Sequence, residues 1–139
     1  MYAFTFERPS STADAVKLAA NGNAKLLAGG QTLLASMKLR LANPEQLIDL
    51  GGIADLAGVR REGNAVVIGA MTRHADVAAN ADVKALIPAL ADLAGGIGDR
   101  QVRAMGTIGG SVANNDPSAC YPSALLALGA TVHTTQRKI

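Results

Sequence analysis

Alternating runs and helical spacings take turns along the first fifty residues. Phe4-Thr5-Phe6-Glu7-Arg8, ended by Pro9, predicts a short strand. Ser11-Thr12-Ala13-Asp14 resembles a capping box, with its hydroxyl placed for free backbone N–H groups and Asp14 favoured by the helix dipole. Ala15, Leu18 and Ala19 then repeat at helical spacing, and Gly22 suits a left-handed stop. Lys25-Leu26-Leu27-Ala28 predicts a buried strand, followed by Gly29-Gly30. A second helix is expected from near Thr32, with Leu33, Met37 and Leu41 on one face, until Asn43-Pro44 ends it. Gln46-Leu47-Ile48-Asp49-Leu50 predicts a third strand. In this β-α-β-α-β order, right-handed crossovers make the three strands parallel.

After Gly51-Gly52 the pattern changes. Val59-Arg60-Arg61 and Ala65-Val66-Val67-Ile68-Gly69 flank Glu62-Gly63-Asn64 and predict an antiparallel hairpin. Thr72 is placed to cap a helix running through Asp76 and Val77. Pro88, whose fixed φ suits a first turn, predicts a helix through Leu90, Leu93 and Ala94 to Gly95-Gly96. Arg100 to Gly110 is punctuated by glycine, and Leu125-Leu126-Ala127-Leu128 ends at Gly129. Ala130-Thr131-Val132-His133-Thr134-Thr135 predicts a last strand, and the stop soon afterwards at Ile139 reads as a fragment or a shortened product.

Length allows one compact domain or two small subdomains sharing a core, since the chain has 139 residues. With 49% hydrophobic and 17% charged residues the chain is a folded one, and aromatics at 3% leave the core to Ala, Leu, Val and Ile. A net charge of +2 on scattered basic residues argues against a nucleic-acid groove. Cys120 has no second cysteine to pair with, which fits a reducing compartment. The most apolar region, Val83 to Gly98, is broken by Lys84, Pro88 and Asp92, so no transmembrane segment is expected and a cytoplasmic location is.

Two glycine pairs carry the chemistry: Ala28-Gly29-Gly30-Gln31-Thr32 and Thr107-Ile108-Gly109-Gly110-Ser111. The first lies between a strand and a helix, where unpaired N–H groups and partial positive charge suit a phosphate. Glycine admits an anion close to the backbone and allows consecutive N–H groups to curve into a nest. Thr32 and Thr107 offer hydroxyls beside each pair. A strand–Gly-Gly–helix is also an ordinary tight connection. Two pairs about eighty residues apart, if they face one another, suit the two anionic groups of a pyrophosphate. The spacing matches neither the Rossmann turn with its three glycines nor a P-loop.

These segments resemble a known family. Lys25-Leu26-Leu27-Ala28-Gly29-Gly30-Gln31-Thr32-Leu33-Leu34 is similar to the first FAD segment of the medium (flavoprotein) subunits of the molybdenum hydroxylases, the xanthine dehydrogenase and aerobic carbon monoxide dehydrogenase type. Ile68-Gly69-Ala70-Met71-Thr72 resembles their central motif. Arg103-Ala104-Met105-Gly106-Thr107-Ile108-Gly109-Gly110-Ser111, continuing through Asn114-Asn115-Asp116-Pro117, resembles the second FAD segment.

The resemblance implies an α/β (α+β) domain of the vanillyl-alcohol-oxidase (PCMH) type. A parallel FAD-binding subdomain would span residues 1–52, and a mixed or antiparallel one residues 53–139, incomplete at its C-terminal end. Leu26, Leu27, Ala28, Gly29 and Gly30, with Gln31, Thr32 and Leu33, would line the adenosine and pyrophosphate of FAD. Thr107, Ile108, Gly109, Gly110 and Ser111 would make the second pyrophosphate contact and lead toward the isoalloxazine ring, near which Ile68 is expected. Cys120 stands where some relatives place an acidic residue that holds the cofactor's sugar chain. A thiol is a poor substitute, so Asp116 or Asn115 is an alternative contact, and Cys120 equally reads as a small buried hydrophobe. The implied activity is electron transfer: a molybdenum cofactor in a large molybdopterin subunit, [2Fe-2S] clusters in a small iron–sulfur subunit, FAD here, then an external acceptor. Family members continue well beyond this length.

The remaining candidates are weaker. His74 is expected on a helix surface and His133 on a strand, with no ligand-spaced partners for a metal. No Gly-x-Ser-x-Gly elbow is present, and Cys120 has no histidine nearby in sequence to make it a nucleophile. Arg100 and Arg103 read either as pyrophosphate or partner contacts or as a solvated turn, and Asn114-Asn115-Asp116-Pro117 as a turn. Two rivals remain: a truncated, non-catalytic assembly module that has lost FAD, and an α/β domain for another nucleotide.

Overall fold

The computed structural model describes residues 1–139. β1 (Thr5–Glu7), α1 (Thr12–Ala19), β2 (Ala24–Leu27), α2 (Leu33–Lys38) and β3 (Gln46–Asp49) build a parallel sheet in the order β1-β3-β2. Phe6 and Lys25 both lie opposite Leu47, one on either side. The chain passes over the place of β3 and then returns to it, so right-handed crossovers put α1 and α2 on opposite faces. Ala15 of α1 packs with Ile48 and Ile53 on one face, while Leu47 and Met37 are buried on the other. Ser11 caps α1 as expected, its Oγ accepting from the Asp14 N–H at 3.1 Å.

Three local expectations are corrected here. Gly22 is not left-handed, because α1 has already closed at Ala20. Helix α2 stops at Lys38, short of Leu41, where Arg40 turns left-handed (φ 60°) and leaves Leu41 exposed. Strand β2 is an edge of a narrow sheet, so Leu26 is half exposed rather than buried.

Two short 3-10 turns, Leu50–Gly52 and Ala54–Leu56, lead to the hairpin β4 (Val59–Glu62) and β5 (Ala65–Ile68). Six helices follow: α3 (His74–Ala79), α4 (Ala81–Leu86), α5 (Pro88–Gly95), α6 (Arg100–Met105), α7 (Ile108–Asn114) and α8 (Cys120–Ala127). Their core joins Val77, Val83, Leu90, Ala91, Ala94, Ile108 and Tyr121, with Val59, Val66 and Ile68 of the hairpin packed against it. Pro88 opens α5 as its sequence position predicts. Thr72 caps nothing: its Oγ1 donates to the Gly58 carbonyl and accepts from the Gly58 N–H, both at 2.9 Å, which ties the hairpin to the segment before α3. Residues 130–135 form no strand, only a bridge from His133 to Lys138, because no neighbouring strand is there to pair with. No helix is long and apolar enough to cross a membrane.

Candidate functional site

The two glycine segments meet where the parallel sheet joins the helical half. Gly29 lies so close to the second segment that a Cβ on it would sit 2.6 Å from Gly106 Cα and closer still to the Met105 carbonyl oxygen. A Cβ on Gly110 would come within 3.2 Å of Ala28 Cβ and 2.9 Å of Thr107 Oγ1. Gly109 is pressed on Ala70 in the same way. Gly29 packs backbone on backbone across the junction, Gly110 faces the side chains of Ala28 and Thr107, and none of the three sites has room for a Cβ.

The donors of the two segments differ. The N–H groups of Gly29, Gly30, Gln31, Thr32 and Leu33 find no acceptor within the chain, and Gly30 is left-handed (φ 73°), the conformation that gathers successive N–H groups into a concave array. In the second segment four of the five donors are engaged, leaving only the Thr107 N–H free: Ile108 N–H donates to Thr72 O, Gly109 N–H to Ala70 O, Gly110 N–H to Thr107 Oγ1 and Ser111 N–H to Thr107 O. The two facing nests read from the sequence are therefore one nest, over residues 29–33, and a buttress. The buttress contributes the buried Thr107 hydroxyl, which caps α7 at 3.1 Å and keeps its own proton to donate. Thr32 makes no capping bond.

A cavity of about 560 Å³ opens beside this junction, at the carboxyl ends of the parallel strands where an open α/β sheet binds its ligands. Arg8, Gly29, Asp49 and Gly51 line the sheet side, and Met71, Arg73 and Thr107 line the other. Arg8 Nε pairs with Asp49 Oδ2 at 3.2 Å and its Nη2 donates to Gly51 O at 3.0 Å, closing the sheet end. Of the glycine segments only Ala28, Gly29 and Thr107 reach this cavity, so it adjoins the free amides rather than containing them. Sequence reading passed over Arg8, Asp49, Arg73 and Gly106. The signal for the first two was their place at the ends of predicted strands.

The other predicted site residues are scattered around the junction. Leu27 and Leu33 are half buried, and Gln31 is exposed with its amide toward Gly29 O at 3.4 Å. Ile68 is half buried against the helical core, and Ile108 lies within it. Ser111 is half buried; Asp116 is exposed and accepts the Ser118 N–H at 2.8 Å. Cys120 is an exposed free thiol, which corrects the reading of a small buried hydrophobe: at the first turn of α8, Tyr121 takes the inward position. Arg103 is on α6, not in a solvated turn, and donates to the Ile97 and Gly98 carbonyls. His74 is buried rather than on a helix surface, because α8 lays Tyr121 against it. Burial lowers the His74 pKa, since a charged imidazole would lose its hydration there.

A parallel sheet and a helical half joined at glycine form a two-part α/β domain, with free amides at the joint of the kind that suit a phosphate. The chain belongs to the family described as FAD binding domain in molybdopterin dehydrogenase, which it matches over residues 2–139. It is similar to the carbon monoxide dehydrogenase medium chain of Hydrogenophaga pseudoflava, 46% identical over 129 residues, covering 91% of this chain and 45% of that one. It is also similar to the glyceraldehyde dehydrogenase medium chain of Sulfolobus acidocaldarius, 42% identical over 130 residues, covering 93% and 46%. Among solved structures, reconstituted CO dehydrogenase from Oligotropha carboxidovorans superimposes with a TM-score of 0.93 at 41% identity, covering all of this chain and 51% of that one. The chain thus spans about half the length of the relatives it matches. The mixed α/β fold and the family expected from the sequence are both borne out.

Proposed function

We propose that this chain is the FAD-binding part of the electron-transfer subunit of a molybdenum hydroxylase. The observation that carries the reading is the run of five acceptor-free amides from Gly29 to Leu33, backed by the second glycine segment. The residues fit the cofactor: the gathered N–H groups suit a pyrophosphate, and no carboxylate lies within residues 25–34 or 103–111 to oppose it. Leu26, Leu27 and Ala28 flank the adenosine side, Thr107 donates its hydroxyl, and Ser111, Asp116 and Cys120 with Ile68 lie toward the sugar chain and ring. The division at residue 52 belongs to the same reading, with the cofactor spanning both parts.

Bound FAD supplies electron transfer from the [2Fe-2S] clusters of a small subunit to an external acceptor, downstream of a molybdenum cofactor in a large subunit. Medium chains of carbon monoxide and glyceraldehyde dehydrogenases among the relatives support these partners. The exposed, unpaired Cys120 supports a reducing, cytoplasmic setting. The residues here bind, orient and shield; none is needed as a general acid or base. Titration with FAD, followed by flavin fluorescence, should saturate for the wild-type chain, with ADP competing for the shared pyrophosphate contacts. Gly110→Val, which closes the junction against Ala28 and Thr107, should abolish uptake. Unchanged affinity in the folded variant would sink the reading, and a wild-type chain that binds no FAD would favour an assembly module.

A further inference from the structure

Only two side-chain polar atoms are buried without a partner, His74 Nδ1 and Tyr121 Oη, and their rings lie together with centroids 5.3 Å apart. Such orphans are rare, and an imidazole packed on a phenol with neither polar atom bonded is poorly placed to take up a charge. His74 also stands directly behind the second glycine segment. Its backbone N–H donates to Gly106 O at 3.0 Å, and a Cβ on Gly106 would lie 2.5 Å from its Nε2. Gly106 is in turn the surface on which Gly29 packs. A stack therefore runs from Tyr121 through His74 and Gly106 to Gly29, from the helical core to the free amides.

We propose that His74 is a positioning residue of the flavin site: its neutral imidazole, packed on the Tyr121 ring, seats Gly106 against Gly29, and protonation unseats that contact and weakens FAD binding. This rests on the FAD-binding reading above. The neutral ring leaves Nδ1 unbonded at a modest cost. Protonation makes both nitrogens donors and puts a charge against the Tyr121 ring with no acceptor for Nδ1, so the ring must leave its place to be hydrated. Burial keeps the Tyr121 phenol well above its ordinary range, so it remains protonated throughout. Tyr121 is the titratable side chain against the ring. Arg73 and Asp76 on α3, Lys84 on α4, Asp92 on α5, Arg100 on α6 and Cys120 on α8 are exposed. Asp82 and Arg103 are half buried, and burial alone shifts the imidazole.

The test follows amide hydrogen exchange by NMR on the 139-residue chain between about pH 7.5 and about pH 5.5, spanning the ordinary imidazole pKa, with FAD titrations alongside. The His74, Ile108 and Gly109 amides tie residues 70–74 to the second glycine segment, so their protection factors report how firmly that segment is held behind Gly29. Protection and FAD affinity should each fall about tenfold over that range in the wild type, and by less than about twofold in His74→Gln. Tyr121→Phe, which keeps the ring against His74 and removes only the unbonded hydroxyl, should leave the wild-type pH dependence in place. Equal pH dependence in wild type and His74→Gln, or its disappearance in Tyr121→Phe, overturns the proposal. FAD binding with pH-independent protection overturns the positioning role alone. Absence of FAD binding, with the His74-dependent change in protection intact, overturns the flavin reading alone. Should His74→Gln fail to fold, His74→Phe, which keeps a ring on Tyr121, takes its place and is read in the same way.

Discussion

A methyl group at Gly29 has nowhere to go, since it would meet the carbonyl of Met105 and the Cα of Gly106, which are backbone and cannot rotate aside. Gly29→Ala should cost about 1–3 kcal/mol in urea unfolding, as overpacking does, and should abolish FAD uptake. Gly22→Ala, with nothing within 4 Å of the new carbon, should stay within about 0.5 kcal/mol and bind FAD normally. Thr107→Val removes the oxygen that accepts the Gly110 N–H and should cost about 1 kcal/mol and weaken FAD binding, while Thr107→Ser restores both. The glycines were legible in the sequence because close approach leaves a residue-type signature. His74 was not: its burial depends on Tyr121, far along the chain, and no local pattern carries that information.

Elements whose limits are set locally were legible. The capping box at Ser11, the proline opening α5 and the alternating hairpin strands all formed where their sequences place them. Ser11→Ala should lower stability by about 1 kcal/mol in thermal or urea unfolding and leave FAD affinity unchanged, because neither Ser11 nor any residue of α1 lines the cavity beside the junction. Elements settled by distant partners were misread. Thr72 has the chemistry of a helix cap, yet its hydroxyl is taken by Gly58. Residues 130–135 have the composition of a strand and lack a neighbour. The helix α6 lay hidden between glycines, its N-cap Asp99 accepting the Val102 N–H at 2.7 Å.

At the scale of the molecule, strand direction followed from handedness, whereas the order β1-β3-β2 did not, because local periodicity is blind to which strand takes the centre. The pairing of the two glycine segments was legible only through resemblance; composition and spacing left a tight turn as plausible as a phosphate site. Stability should depend on pH through His74. Its folded pKa lies below the ordinary value of about 6.5, so the unfolded chain binds the proton first as pH falls. The contribution is complete above that value and is lost as pH drops from it toward the folded pKa, which urea midpoints across that range will read. The most direct measurement is the visible spectrum of the purified 139-residue chain after incubation with FAD and gel filtration, with released flavin identified by chromatography. A retained flavin spectrum, with FAD as the species released, is the expected result. A colourless protein, folded by circular dichroism yet retaining no added FAD, would contradict a cofactor site built from these two segments.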